Sequence, residues 1–130
     1  MPTRPDRANA GSAVVEFALV LPLLLVVALS LVQVGLLVRD RLLIEAAARA
    51  GARTAAVEAD EGAVRAAALA AAPDLDPAGA DVAIARQGSQ GDPVTVSIDY
   101  DEVVRVPLIG WLFGSSIHLD ASATDRQEFA

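Results

Sequence analysis

The chain has 130 residues, enough for one small domain, with no cysteine and a single histidine. Disulfide bridges, thiolate metal sites and histidine-rich metal sites are therefore excluded. The formal net charge is −7, and the whole acidic excess falls in residues 39–130. This charge argues against nucleic acid, and against an anionic lipid surface, as a partner of that part.

An apolar segment near the amino terminus predicts a membrane-spanning helix. Residues 17–38 are 22 consecutive uncharged residues, nearly all of them apolar. As a helix they extend about 33 Å, enough to cross a bilayer core of about 30 Å. A cleaved secretory signal has a shorter apolar region followed by a small-x-small site, which residues 36–39 do not offer. We therefore expect a retained span.

The helix is predicted to continue beyond the membrane through residues 39–58, which lack proline and are rich in helix formers. A charged stripe recurs every four residues, formed by Arg41, Glu45, Arg49 and Arg53. The predicted packing face consists of Leu43, Ala47, Ala50, Thr54 and Val57. Asp60 is the expected N-cap of a second helix that ends before Pro73.

After the second predicted helix, the sequence pattern changes to that of short strands separated by turn residues. Residues 81–87 form a weak strand pattern, and residues 94–100 and 117–124 alternate apolar with polar side chains. The inward rows are Val94, Val96, Ile98 and Tyr100 in one strand and Ile117, Leu119, Ala121 and Ala123 in the other. The prediction is an α+β fold: a long amino-terminal helix, a short second helix, and a small antiparallel sheet of about three strands packed on the helices.

The spacing from Gly11 to Glu16 is the strongest functional signal. A glycine, four residues, then a glutamate and Phe17 opening an apolar helix is the pattern of a type IV prepilin cleavage site. Cleavage after Gly11 would free Ser12 as an amino terminus, and Glu16 could then neutralise the Ser12 amine of a neighbouring subunit. Such pairing lowers the cost of a charge at the membrane. A solvated glutamate at the membrane interface is the alternative.

The segments "GSAVVEFALVLPLLLVVALSLVQVGLLV", "AAARAGART" and the terminal "SATDRQE" together resemble the TadE-like family, the minor pseudopilins of Flp (tight-adherence) pilus systems. The resemblance implies a leader at 1–11, a transmembrane helix at 12–38 and an extracytoplasmic domain at 39–130. It also implies cleavage after Gly11 by an inner-membrane prepilin peptidase, and other pilins as partners. Many relatives carry an acid where this chain has Gln33, so a role for that acid is in doubt.

Two signals in the sequence disagree on the orientation of the predicted membrane span. Arg39, Arg41, Arg49 and Arg53 outnumber the basic groups before the span, and the positive-inside rule alone weakly favours a cytoplasmic carboxyl terminus. The resemblance implies the reverse, with a cytoplasmic amino terminus, because the peptidase acts from the cytoplasmic side.

Three further groups are weaker candidates. His118 lies in the polar row of the last strand and has no partner of a catalytic motif, so a structural or solvated histidine is favoured. Carboxylates at Asp99, Asp101 and Glu102 have ligand chemistry for calcium but lack regular loop spacing, so a solvated strand end is favoured. An apolar cluster between two strands is either a loop folded over the sheet or a partner contact; it contains Leu108, Ile109, Trp111 and Phe113.

The predicted function is a non-enzymatic pseudopilin-like component of a pilus or secretion assembly in the cytoplasmic membrane. The sequence shows no nucleophile–base pair, metal cluster or phosphate-binding loop, so we predict no catalytic residues, metal or cofactor. The alternative is a signal-anchored extracytoplasmic binding domain that is never cleaved. A membrane-anchored enzyme is disfavoured.

Overall fold

The computed structural model describes residues 7–103 and 114–129, with side chains from Gly11 onward. Its elements in chain order are α1 (Arg7–Val57), α2 (Glu61–Ala70), a 3-10 turn (Pro77–Gly79), β1 (Ala80–Arg86), β2 (Pro93–Val103) and β3 (Ser116–Arg126). The predicted order of a long helix, a short helix and three antiparallel strands is confirmed.

Helix α1 runs unbroken through 51 residues, with Pro22 inside it. At 1.5 Å per residue it is about 76 Å long, more than twice the thickness of a bilayer core. Its last turn is capped by another element, because the Arg86 guanidinium donates to the backbone carbonyls of Ala55 (2.7 Å) and Glu58 (2.8 Å). An arginine there satisfies carbonyls that the helix leaves without partners.

Helix α2 begins as the sequence predicts. The Asp60 carboxylate accepts a hydrogen bond from the backbone amide of Gly62 at 3.0 Å, the contact of an N-cap. Val64 and Ala68 of this helix are buried against α1. The loop after α2 is tied back to α1 by an ion pair between Arg39 and Asp74.

The sheet has the strand order β1-β2-β3, and both pairings are antiparallel. The predicted inward row of β2 is confirmed, since Val94, Val96, Ile98 and Tyr100 are all buried. The row of β3 also faces the core, with Ala121 buried and Leu119 and Ala123 packed against the cluster. The inner face of the sheet packs on α1, so the domain has a helical layer and a sheet layer.

The packing face predicted for the second half of α1 is wrong in part. Val57 is 59% exposed, and Leu43, Ala50 and Thr54 are only partly buried. The buried face is rotated from the predicted one and consists of Ile44, Ala47, Ala48, Gly51, Ala52, Ala55 and Ala56. The reason is close approach: a Cβ on Gly51 would lie 3.0 Å from Val96 Cγ1 and 3.2 Å from Ala68 Cβ.

Candidate functional site

The predicted processing site lies at the start of α1. Gly11 and Ser12 are both in the helix and exposed. A Cβ added at Gly11 would meet nothing within 4 Å, so packing within the chain does not require a glycine there. A glycine inside a helix costs about 0.5–1 kcal/mol relative to alanine. Gly11 therefore weakens the helix locally, beside the bond that the sequence marks for cleavage.

Glu16 is one helical turn after Ser12. The Ser12 hydroxyl donates to Glu16 Oε1 at 3.4 Å, a long i,i+4 contact. The carboxylate thus points back toward residue 12, as helix side chains do. Phe17, the other predicted assembly residue, is 61% exposed. Neither residue packs against the folded domain, so both are free to contact lipid or a neighbouring chain.

The apolar half of α1, residues 11–32, is largely exposed, and every residue from 11 to 25 is exposed. Within the described residues α1 is the one helix long and apolar enough to cross a membrane, and its most apolar stretch is entirely unburied. Bulky side chains point outward around this half; they include Val14, Leu19, Leu23, Leu24, Leu25 and Leu31. In the same half the Ser30 hydroxyl is satisfied locally, because it donates to the Val26 carbonyl at 2.7 Å. Such a surface suits lipid or other apolar helices.

Two polar residues near the end of this half are buried, which the sequence analysis did not anticipate. Gln33 is 0% exposed, and neither polar atom of its carboxamide has a hydrogen-bond partner among the described residues. Asp40, two helical turns later on the same face, is also buried and has Arg39 at 3.8 Å. Gln33 and Asp40 lie at helical spacing on the same side of α1 as the buried Ile44 and Ala47. This periodicity was the sequence signal that could have predicted their burial.

His118 is brought between two carboxylates on the outer face of the sheet. Its Nδ1 lies 3.0 Å from Asp101 Oδ1, and its Nε2 lies 3.2 Å from Asp99 Oδ1. The hydrogen bond to Asp101 is the main cause that raises the pKa of His118 above its ordinary value of 6.5, and Asp99 adds to it. The alternation of the last strand predicted the polar row for His118 but not this pairing.

The three carboxylates considered for calcium are not brought together. Asp99 and Asp101 are on the outer face of the sheet, whereas Glu102 is 1% exposed in the inward row. The described residues contain no group of three His, Cys, Asp or Glu side chains that could hold a metal ion. The apolar cluster containing Leu108, Ile109, Trp111 and Phe113 lies outside the described residues, so its two interpretations stay predictions.

A comparison with known protein families gives a match that lies within α1. The model of the TadE-like protein family matches residues 11–53. This part of the chain is therefore similar to the TadE-like family. The match covers 43 of the 130 residues, begins at Gly11 and ends inside the second half of α1. The resemblance found from the sequence is thereby confirmed over this segment.

The TadE-like match points to a component associated with a Tad pilus, from a family not known as enzymes. One long apolar helix suited to a membrane anchor agrees with such a component. Searches of curated proteins and of solved structures returned no match. For α2 and the sheet, which lie outside the family match, the structural model is the source of information.

Proposed function

We propose that this chain is a non-enzymatic, pseudopilin-like component of a Flp/Tad-type pilus assembly or secretion system, anchored in the cytoplasmic membrane by α1. The observation that carries the proposal is the division of one TadE-like helix into two halves. The first half is exposed and apolar, while the second is buried against α2 and the sheet. A helix of this design joins a folded domain rigidly to a membrane segment that is free to pack with other helices.

A prepilin peptidase is the proposed processing partner, with the cut between Gly11 and Ser12. The start of the family match at Gly11 supports this position, as does the free space around that glycine. Cleavage would leave Ser12 as the amino terminus beside Glu16, whose carboxylate already points toward residue 12. The proposed partners are then other pilins, whose helices would pack against the exposed half of α1.

The proposed orientation has a cytoplasmic amino terminus and an extracytoplasmic domain. The peptidase interpretation requires it, and the acidic charge of residues 39–130 is compatible with it. The arginines after the span argue the other way.

Processing is tested by expressing the full chain with and without a prepilin peptidase from a Tad system. We expect a mature form that starts at Ser12, identified by intact mass and amino-terminal sequencing. Gly11→Val should block cleavage, because a branched side chain would obstruct the approach of the peptidase to the bond.

Gly35→Val is the matched control, since Gly35 is in the same helix and a Cβ there also meets nothing within 4 Å. This variant should be cleaved like the wild type. Uncleaved protein in the presence of an active peptidase would favour the alternative, a signal-anchored binding domain.

A further inference from the structure

We propose that the folded domain stacks on further copies of this chain, with a basic face of α1 in one copy seated on the acidic outer face of the sheet in the next. The basic face is formed by Arg49, Ala50, Arg53 and Thr54. The acidic face is the outer surface of the sheet around Asp81, Asp99, Asp101 and Asp120. The inference goes beyond the proposed function and does not depend on removal of the leader.

The basic face is an open groove with available positive charge. Its four residues border an open depression of about 410 Å³ on the side of α1 opposite the buried face. Arg49 lies 3.7 Å from Glu45, which makes a closer contact of 3.1 Å with Arg41. No described carboxylate lies within ion-pair distance of Arg53, so this guanidinium is left for an outside acceptor.

The acidic face is a row of aspartates on three adjacent strands. Asp81 of β1 is directly opposite Asp99 of β2, and Asp99 is directly opposite Asp120 of β3. Like charges placed opposite each other destabilise a sheet, so the row favours a positive partner. His118 lies between Asp99 and Asp101, while no described cation lies within ion-pair distance of Asp81 or Asp120.

Small side chains surround these aspartates and leave room for a helix. On the same face Ala83 is opposite Ser97, and Ser97 is opposite Ser122. These side chains end close to the backbone, so the surface is flat between the charges. Asp81, Asp120 and Ser122 on this face are exposed, and the charge of the face is opposite to that of the groove.

The two faces cannot meet within one chain, because the helix lies between them. The inner side of the sheet packs on the buried side of α1, with Val96 against Gly51, so the acidic and basic faces point in opposite directions. Complementary surfaces on opposite sides of one molecule produce a head-to-tail contact that repeats from copy to copy. A second copy is the favoured occupant because this chain carries both complementary surfaces.

The test uses engineered cysteines, which report cleanly because the native chain has none. The full-length double variant Ala50→Cys/Ser122→Cys is reconstituted in zwitterionic vesicles and treated with a short bismaleimide. We expect a ladder of dimers, trimers and larger species. Each single variant should give almost no dimer, because a head-to-tail contact does not place a residue beside its own copy. Leu31→Cys/Ser122→Cys is a mismatched control, since residue 31 belongs to the apolar half of α1.

Charge reversal gives the second measurement. In the double-cysteine background, Arg49→Glu/Arg53→Glu should reduce the ladder about tenfold, because it sets like charges against each other. Adding Asp81→Arg/Asp120→Arg to the same chain should restore it. Dimers from Ala50→Cys alone would show a symmetric helix–helix contact and overturn the proposal. Absence of the ladder, or a ladder insensitive to charge reversal, would overturn it as well.

Discussion

At the scale of single residues, the geometry around Glu16 explains how a carboxylate can remain at the start of an apolar helix. The side chain is exposed and receives a long hydrogen bond from Ser12 within its own helix. A 3.4 Å contact to a neutral hydroxyl compensates a charge poorly. The stronger partner that we propose is an ammonium group, which cleavage after Gly11 would create on Ser12 of a neighbouring chain.

Glu16→Gln tests this role, because it keeps the shape and removes the charge. Cleavage at Gly11 should persist, since the scissile bond is untouched, and membrane insertion should persist or improve. Association with partner pilins should fall, because the Ser12 amine would lose its counter-charge. The measurement is co-purification or crosslinking of mature protein at matched membrane levels. Glu61→Gln, in the exposed first turn of α2, is the control, and equal association by both variants would make Glu16 an ordinary interfacial residue.

His118 makes a second residue-scale prediction, on the dependence of stability on pH. Both ring nitrogens face carboxylates, which only accept hydrogen bonds, so only the protonated ring donates to both. The pKa of His118 in the folded state is therefore raised above its ordinary value. A raised pKa contributes stability that is fully present below the unfolded value of 6.5 and is lost as pH rises through the folded value.

His118 is the single histidine of the chain, so its ring signals in an NMR titration can be assigned directly. We expect a midpoint above 6.5, with Asp101→Asn lowering it more than Asp99→Asn does. The wild type should have a higher thermal midpoint than His118→Gln at low pH. This difference should shrink as pH rises through the titration of His118. A titration unchanged by either asparagine variant would contradict the pairing.

At the scale of elements, Gly51 sets how closely α1, α2 and β2 pack. Gly51→Ala would place a Cβ 3.0 Å from Val96 Cγ1 and 3.2 Å from Ala68 Cβ. Neither neighbour is the end of a long flexible side chain, so the elements must separate slightly. We expect a loss of about 1–3 kcal/mol in the free energy of unfolding from this overpacking, offset in part by the better helix propensity of alanine.

Gly35→Ala is the matched control for Gly51, because the same change in the same helix meets nothing within 4 Å. It should be neutral or stabilising by up to about 1 kcal/mol. Thermal or denaturant unfolding in detergent, followed by circular dichroism, measures both. If Gly51→Ala were as stable as Gly35→Ala, the close approach of the three elements would be disproved.

At the scale of the whole molecule, the long helix makes membrane topology the decisive property. The domain is folded onto the second half of α1, so the side of the membrane that receives residue 57 receives the whole domain. A reporter fused after Ala130 should be active outside the cytoplasmic membrane. A reporter inserted after residue 10, with the rest of the chain retained, should report the cytoplasm, because it precedes both the predicted cut and the span. Cytoplasmic activity of the carboxyl-terminal fusion would favour the arginine count over the proposed orientation.

The sequence by itself determined those features that have strong local causes. The apolar run predicted a membrane-length helix, Asp60 predicted the start of α2, and strict alternation predicted the inward row of β2. The same alternation also placed Glu102 in that inward row, although the sequence analysis grouped it with Asp99 and Asp101. The apolar segment from Gly11 and the following "AAARAGART" carried the resemblance to the TadE-like family, and the match to residues 11–53 confirmed it over this segment.

Only the tertiary structure decided which side of α1 is buried. Residues 46–56 are mostly alanine, and alanine has nearly the same small apolar surface on every side of the helix, so hydrophobic contrast did not identify the packing face. The side that faces α2 and β2 is selected instead by the distance of approach, which Gly51 permits and a larger side chain would prevent. Tertiary structure likewise decided the pairing of His118 with two aspartates. The paired residues are 17 and 19 positions apart and lie on neighbouring strands, and local patterns do not record such distances.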